Sequence, residues 1–269
     1  MEHHISNRVA SLTPSLTLAI SAQAKQLRME GKDVVGFGAG EPDFDTPQPI
    51  KDAAAQALAD GFTKYTPSSG IPELREAIVE KFQTENGLTY SPSQIIVNCG
   101  GNHACYNVIM ATCDPGDEVL IPAPYWGSYP EMVKLAEANP VILPTSDETE
   151  FKVTPAQLEA AITDKTRLFI LNSPSNPTGM VYTPEEIKAL GDICVARGVY
   201  IMSDEIYERL IYGETVHRSV ATFSEAHQER TIIVYGFAKA WSMTGWRLGF
   251  LAAPAPVAKA INAMQSHST

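Results

Sequence analysis

The sequence predicts an α/β protein with a mostly parallel sheet, and three observations favour this class. Short apolar runs alternate with helical patterns along most of the chain. Two helix starts, at residues 154–157 and 183–186, carry threonine, proline and a glutamine or glutamate in the order of a capping box. Polar or glycine-rich segments directly follow most of the apolar runs. Such segments bind ligands when they lie at the carboxyl ends of parallel strands.

Seven strands are predicted from apolar runs bounded by turn residues. They lie at residues 34–37, 94–99, 118–121, 140–143, 167–171, 199–202 and 231–235. Helical patterns fill most of the intervals, and one helix is expected to begin at Pro72 and to end before Asn86 and Gly87. The chain shows no internal repeat, low-complexity tract or flexible linker.

Composition and charge limit the classes of function. The chain has 269 residues, of which 44% are hydrophobic, and a formal net charge of −11. This charge disfavours nucleic acid and anionic membrane surfaces as general partners. No apolar run approaches the roughly 18 residues of a membrane span, and the first residues lack a signal-peptide pattern. A cytoplasmic protein is therefore expected.

The cysteines and histidines do not predict a metal centre. The four cysteines, Cys99, Cys105, Cys113 and Cys194, include no C-x-x-C pair and lie in apolar stretches. The six histidines form no zinc-binding motif. Free and mostly buried thiols are the expected state of the cysteines.

Lys239 is the first candidate for chemistry. It lies just after the last predicted strand, among small residues and eight positions before Arg247. Burial lowers the pKa of an amine and favours its neutral, nucleophilic form. A surface lysine on a glycine-rich turn is the alternative interpretation, and for an isolated lysine it is the commoner one.

Further polar candidates follow four other predicted strands. They are a glycine-rich turn before a helix, an aromatic side chain, an amide, and an acid followed by a phenol: Gly100, Gly101 and Asn102; Trp126; Asn176; Asp204 and Tyr207. Each alone is more often a turn, a packing contact or a surface charge. At one sheet edge, together with Lys239 and Arg247, they suit pyridoxal 5′-phosphate, which needs an anion cradle, a ring contact, an acid and an amine.

Six runs of the sequence resemble the class I/II aminotransferases of the bacterial aspartate aminotransferase type, which are fold type I pyridoxal-phosphate enzymes. They lie at residues 39–47, 64–66 with 70–75, 124–126, 172–179, 203–207 and 239–249, in the order of that family. The resemblance implies a large domain with a mostly parallel mixed sheet sandwiched by helices. Residues 1–47 would form an N-terminal arm and substrate-side segment, and residues 48–269 the cofactor-binding domain. The family's C-terminal small domain is expected to be absent.

The resemblance also implies roles for the candidates. Lys239 would form a Schiff base with pyridoxal 5′-phosphate and then move the proton at the substrate Cα. Asp204 would hold the pyridine nitrogen protonated, and Tyr207 would donate to the phenolic oxygen of the ring. Arg247 would bind the phosphate with its planar fork. The phosphate would also accept hydrogen bonds from the backbone amides of the helix start, Gly100, Gly101 and Asn102.

The remaining implied roles concern the ring face, the substrate and the oligomer. Trp126 would stack over the ring, and Asn176 with the backbone of Gly40 would position the ring and the substrate carboxylate. Tyr65 matches a tyrosine that reaches the phosphate of the neighbouring subunit, so the resemblance implies a homodimer. No metal is implied.

Three positions depart from the pattern of the family. Asn102 stands where a lysine is usual, which removes one positive charge near the phosphate. Tyr235 replaces an asparagine, and Ala238 replaces a serine that bonds the phosphate in many relatives. Asn102 and Tyr235 are expected to weaken cofactor binding modestly.

The favoured function is amino-group transfer between an L-amino acid, by resemblance aspartate, and a 2-oxo acid such as 2-oxoglutarate. Two alternatives remain from the sequence. One is different chemistry on the same scaffold, as in a β-lyase, synthase or decarboxylase, because one cofactor permits several bonds to break. The other is a truncated, non-catalytic homologue that keeps the fold for binding.

Overall fold

A seven-stranded sheet forms the centre of the computed structural model, which describes residues 3–269. Its strands are β1 (Ile95–Asn98), β2 (Glu118–Ala123), β3 (Asn139–Pro144), β4 (Thr166–Asn172), β5 (Tyr200–Asp204), β6 (Thr231–Gly236) and β7 (Gly249–Ala252). Their order across the sheet is β1-β7-β6-β5-β4-β2-β3. β7 runs antiparallel to both neighbours, and the other pairs are parallel. The predicted α/β class with a mostly parallel mixed sheet is confirmed.

Ten α-helices occur within residues 3–269. They are α1 (Asn7–Ala10), α2 (Leu16–Met29), α3 (Gln48–Ala59), α4 (Pro72–Lys81), α5 (Gly100–Thr112), α6 (Ser128–Leu135), α7 (Pro155–Ala161), α8 (Pro184–Arg197), α9 (Glu225–Gln228) and α10 (Ala255–Gln265). A π-helical turn, Phe82–Asn86, prolongs α4 until Gly87 ends it with a left-handed backbone at φ +68°. The predicted start and end of this helix are confirmed. No described helix is long and apolar enough to span a bilayer.

Local side-chain chemistry sets the starts of α7 and α8. The hydroxyl of Thr154 accepts a hydrogen bond from the Gln157 amide, and the hydroxyl of Thr183 accepts one from the Glu186 amide. The side chains of Gln157 and Glu186 bond back to the two threonine amides. Both predicted capping boxes are confirmed, and each satisfies two backbone donors at a helix end.

Six predicted strands are found with ends displaced by at most two residues, and the seventh is wrong. Residues 34–37 lie outside the sheet, with Val35 73% and Phe37 93% exposed. A strand requires a neighbour to pair its backbone groups, and this apolar run has none within the described chain. β7 was not predicted, because it is four residues long and follows a glycine-rich segment. It nevertheless pairs on both edges and is fully buried.

Three buried clusters cover the sheet and hold its strands in register. One cluster contains α5, which packs against β6 and β7 and against α10. The register of the parallel strands places Asn172 beside Asp204 and Asp204 beside Val234. The polar residues that follow β4, β5 and β6 therefore meet at one edge of the sheet.

The cysteines are free in the described structure, as expected. Cys105, Cys113 and Cys194 are buried, whereas Cys99 is exposed. Cys99 precedes α5 at the sheet edge, where the chain turns into solvent. The prediction of free and mostly buried thiols is therefore confirmed.

Candidate functional site

Asp204 is the buried acid at the centre of the strand-end edge. It ends β5 and is 6% exposed. Its Oδ2 accepts hydrogen bonds from the Tyr129 hydroxyl at 2.6 Å and from the Cys105 thiol at 3.7 Å. Its Oδ1 accepts one from the Ile206 amide at 3.3 Å. Burial raises the pKa of Asp204, and these hydrogen bonds only partly offset that rise.

Two asparagines connect the segments after β4 and β5 by hydrogen bonds. Asn172 Nδ2 donates to the Asp204 carbonyl at 3.0 Å, and Asn172 Oδ1 accepts from the Asn176 amide at 2.7 Å. Asn176 Nδ2 in turn donates to the Tyr207 hydroxyl at 3.4 Å. Burial raises the pKa of Tyr207, and the charge of Asp204 raises it further, so the phenol keeps its proton as a donor.

Lys239 follows β6 and lies over the same edge. Its Nζ donates to the Gly40 carbonyl oxygen and lies 5.7 Å from the centroid of the Tyr207 ring. Burial lowers the pKa of Lys239, which outweighs the opposing charge of Glu41. The positive charge of Arg247 lowers the same pKa further. The site therefore favours the neutral, nucleophilic amine.

Arg247 lies against the first turn of α5. Gly100 has φ +81°, and a Cβ at that position would lie 2.7 Å from Arg247 Nη2. A Cβ at Gly249 would lie 2.5 Å from the Gly100 carbonyl carbon and 2.6 Å from the Gly101 amide nitrogen. Both glycines therefore permit the guanidinium, β7 and the start of α5 to approach one another. A guanidinium beside the free N–H groups of a helix start is suited to an anion.

The predicted site residues do not all meet in one chain. Lys239 contacts Gly40, Asn176 bonds Tyr207, and Arg247 lies against Gly100, as described above. Trp126 is half-buried and packs edge to face on Tyr129, with ring centroids 5.2 Å apart. Asn102 is exposed in the first turn of α5, and the Tyr65 side chain is fully exposed.

Four residues near the site were not singled out from the sequence. Tyr129 and Cys105 donate hydrogen bonds to the carboxylate of Asp204, and Asn172 donates one to its carbonyl. The negative charge of Glu41 acts to raise the pKa of Lys239. Tyr129 lies in the first turn of α6, three residues after Trp126, and the two rings pack edge to face, so its nearness to Trp126 in the sequence is the signal that could have indicated it. Cys105 carries no comparable signal, because only the packing of α5 on the sheet brings it to the acid.

The chain belongs to the family of class I and II aminotransferases, whose model matches residues 32–269. Aspartate aminotransferases of Geobacillus stearothermophilus and Bacillus subtilis are 54% and 51% identical to it over 98% of this chain and 67% of each relative. A solved aspartate aminotransferase of Thermus thermophilus, with maleate, matches 99% of this chain and 69% of that chain with a TM-score of 0.96 at 47% identity. The chain spans about two thirds of the length of these relatives.

These comparisons bear on the sequence predictions as follows. The predicted family is confirmed, and enzymes of this family use pyridoxal 5′-phosphate. The fold of the solved relative agrees with the predicted fold type I sheet. The alternative chemistries considered from the sequence are not favoured, because the relatives named above are aminotransferases.

Proposed function

We propose that this chain binds pyridoxal 5′-phosphate and transfers an amino group between an L-amino acid and a 2-oxo acid such as 2-oxoglutarate. The names of its relatives favour aspartate as the amino acid. One observation carries the proposal. A lysine with a lowered pKa, a buried acid and a phenol that keeps its proton meet at one sheet edge of an aminotransferase chain. Amines, acids and phenols with shifted pKa values are typical of catalytic sites.

The residues present fit the cofactor. The close approach of Gly100 to Arg247 leaves a cradle that a Cβ would fill, and it combines a guanidinium with free amides for the phosphate. Asp204 offers a buried carboxylate for the ring nitrogen, and Tyr207 offers a hydroxyl for the phenolic oxygen. When bound, pyridoxal 5′-phosphate supplies an aldehyde that condenses with amines and a ring that accepts the electron pair of the substrate Cα–H bond.

Each proposed catalytic residue has one task at a stated atom. Lys239 Nζ provides the amine that holds the cofactor and, once released, moves the proton at the substrate Cα. Asp204 keeps the ring nitrogen protonated through a charge-assisted hydrogen bond, which strengthens the ring as an electron acceptor. Tyr207 holds the phenolic oxygen, and Asn176 orients Tyr207 from the neighbouring segment.

The proposed binding residues surround these three. Trp126 would cover one face of the cofactor ring. Trp126 packs on Tyr129, and the Tyr129 hydroxyl donates to Asp204, so these contacts connect Trp126 to the acid. The phosphate is bound by Arg247 and by the backbone amides in the first turn of α5, which belong to Gly100, Gly101 and Asn102. The backbone of Gly40 lies within hydrogen-bonding distance of Lys239 and is proposed to face the substrate carboxylate.

We further propose that the protein acts as a homodimer in which Tyr65 reaches the phosphate of the neighbouring subunit. The support is that Tyr65 is fully exposed in one chain, together with Phe37, Phe44 and Phe62. Large aromatic side chains that one chain leaves exposed are of the kind that subunit interfaces bury. Residues 1–47 are assigned to the arm and residues 48–269 to the cofactor-binding domain. An open cleft of about 520 Å³ lined by residues 41–46, 242 and 244–246 supports the substrate-side position of the arm.

The proposed function is tested by supplying this chain with pyridoxal 5′-phosphate, L-aspartate and 2-oxoglutarate. Transfer predicts glutamate and oxaloacetate in equal amounts, and Lys239→Ala is expected to abolish both. Formation of alanine and carbon dioxide from aspartate without glutamate would instead show decarboxylation chemistry and overturn the proposal. Assays with other amino acids then identify the preferred donor.

A further inference from the structure

Glu205 is a second buried acid directly after Asp204. Consecutive residues of an extended strand point to opposite sides of a sheet, so the two carboxylates lie back to back. Glu205 is 1% exposed, and its Oε1 accepts hydrogen bonds from the Ser203 and Ser219 hydroxyls, each at 2.7 Å. The Glu205 amide donates to the Val234 carbonyl at 2.9 Å. These bonds tie the turn after β5 to β6, the strand that leads to the lysine of the site.

His217 provides the positive partner of Glu205. Its side chain is 7% exposed, and its Nε2 lies 3.1 Å from Glu205 Oε2. Burial lowers the pKa of His217, but the hydrogen bond and charge of Glu205 outweigh it and leave the pKa raised. Burial likewise raises the pKa of Glu205, and the bonds from His217, Ser219 and Ser203 reverse this to a net lowering. The two groups therefore stabilise each other's charged form.

The other charges around this pair balance one another. Glu208 pairs with Lys81, whose ammonium also donates to Asn86 Oδ1 at 2.9 Å. Glu208 lies within reach of His217 as well, since one oxygen or nitrogen of Glu205, Glu208 and His217 all lie within 4.8 Å of each other. Because the Lys81 ammonium already neutralises Glu208, this cluster is an ion-pair network and not an open metal site. Lys81 Nζ also lies 3.9 Å from Glu85, which pairs with Arg209 at 2.5 Å, so within the described residues the network joins three acids to three bases.

We propose that the ionised pair of His217 and Glu205 is a positioning device for Asp204, which holds the strand end in place and keeps the Asp204 carboxylate ionised toward the cofactor. This inference rests on the proposed function. The negative charge of Glu205 by itself opposes ionisation of Asp204. The positive charge of His217 offsets it from the far side. Loss of His217 alone therefore leaves two uncompensated carboxylates next to each other along β5.

A charge-matched set of variants separates this compensation from simple packing. His217→Gln leaves Glu205 without its partner, whereas Glu205→Gln removes the charge and keeps groups that accept and donate hydrogen bonds. The double variant His217→Gln with Glu205→Gln has neither charge. His227→Gln is the matched control, because His227 is another buried histidine beside an acid, with Nε2 3.3 Å from Asp192 Oδ1, but it belongs to α9 and faces α8.

Two readouts are measured on the 269-residue chain: the Kd for pyridoxal 5′-phosphate, and the pH at which the absorbance of the bound cofactor changes. His217→Gln is expected to raise the Kd about tenfold or more, equivalent to one unit of pKa, and to displace the absorbance transition. Glu205→Gln removes the charge that opposes ionisation of Asp204, and the double variant has neither charge, so the cofactor Kd of both, like that of His227→Gln, is expected to remain within about threefold of the wild type. Recovery in the double variant is the signature of charge compensation.

Two outcomes overturn the inference. One is a His217→Gln chain that binds the cofactor with the wild-type Kd and absorbance transition. The other is a double variant that binds as weakly as His217→Gln or more weakly, which would show that the pair acts through packing alone. If His217→Gln does not fold, the Kd values of the double variant and of Glu205→Gln still distinguish charge compensation from packing. Values near that of the wild type support compensation, and weaker binding by the double variant overturns it. Failure of the wild-type chain to bind pyridoxal 5′-phosphate would refute the proposed function instead, so the two failures are distinguishable.

Discussion

The strand-end half of the site and the N-terminal segment of residues 3–47 are built in opposite ways. At the strand ends, side chains are buried and bonded to one another, as with Asp204, Tyr129 and Cys105. In the N-terminal segment, Thr46 is the only buried residue among those whose side chains are described, 3–15 and 19–47. The segment reaches the site mainly through the Gly40 carbonyl and Glu41.

This difference shows which parts of the site one chain organises alone. Burial raises the pKa of the acid and of the phenol and lowers that of the lysine, and hydrogen bonds from Tyr129 and Asn176 hold the acid and the phenol. The N-terminal segment joins the core through few hydrogen bonds, such as Thr46 to the Ser242 carbonyl at 2.5 Å and Trp246 to Thr46 at 3.0 Å. Substitutions at the strand ends should therefore be costly, and substitutions in the segment should be tolerated.

The largest effect is expected from Gly249→Ala. Its Cβ would lie within 2.6 Å of backbone atoms of Gly100 and Gly101, which cannot rotate away as a side chain can. We expect the free energy of unfolding, measured in urea, to fall by about 3 kcal/mol or more, with weaker binding of inorganic phosphate. Gly127→Ala is the control, because nothing lies within 4 Å of its Cβ. Equal stability of the two variants would contradict the close approach of β7 and α5.

Tyr129→Phe is expected to have the next largest effect. It removes the 2.6 Å hydrogen bond to the buried carboxylate of Asp204, which costs about 1–3 kcal/mol of unfolding free energy. Because that bond lowers the pKa of Asp204, its loss should raise the pKa further. Tyr125→Phe removes a neighbouring hydroxyl that makes no hydrogen bond within the described residues, and it should be nearly neutral. Indistinguishable urea midpoints for the two variants would refute the role of Tyr129.

The pH dependence of stability should be smaller and should have a defined sign. The raised pKa of His217 contributes stability that is complete below the ordinary histidine value of about 6.5 and is lost as pH rises through the folded pKa. The lowered pKa of Glu205 contributes stability that is complete above its ordinary value of about 4.3 and is lost as pH falls through the folded pKa. The difference in unfolding free energy between wild type and His217→Gln should therefore shrink as pH rises above about 6.5 and through the folded pKa of His217. A difference that grows with pH would contradict an ionised pair.

The smallest effect is expected from Gly40→Ala in the N-terminal segment. Nothing lies within 4 Å of the Cβ it would add, and the Gly40 carbonyl that accepts from Lys239 is unchanged. The unfolding free energy should change by less than about 0.5 kcal/mol. A loss comparable to that of Gly249→Ala would show that the segment is held as firmly as the strand ends.

The same contrast explains what the sequence predicted. Alternating apolar runs and capping boxes are local signals, so six strands and the starts of α7 and α8 were predicted within two residues. Residues that follow strands directly, such as Asp204 and Lys239, were found from their positions alone. Both errors in the sheet arose because backbone pairing between strands cannot be seen in a local pattern. Among the described residues, 34–37 have no neighbouring strand, whereas β7, which was not predicted, pairs with two.

Residues that act through packing across elements left no signal in the sequence. Cys105 meets Asp204 only because α5 lies against the sheet, and His217 meets Glu205 across a segment of twelve residues. Tyr65 is the opposite case, because the sequence resemblance indicates a role for it but its side chain is fully exposed in a single chain and shows no contact that would test that role. Its predicted position at a neighbouring subunit stays a prediction.

The central claim is that Lys239 is the residue that holds pyridoxal 5′-phosphate. The most direct test is to mix the chain with the cofactor, reduce the bond with borohydride, and locate the modified residue by peptide mass spectrometry. The account predicts one pyridoxyl-phosphate group per chain, on Lys239, and none on the Lys239→Ala variant. Modification of other lysines with Lys239 left free, or an unchanged absorbance in Lys239→Ala, would contradict it.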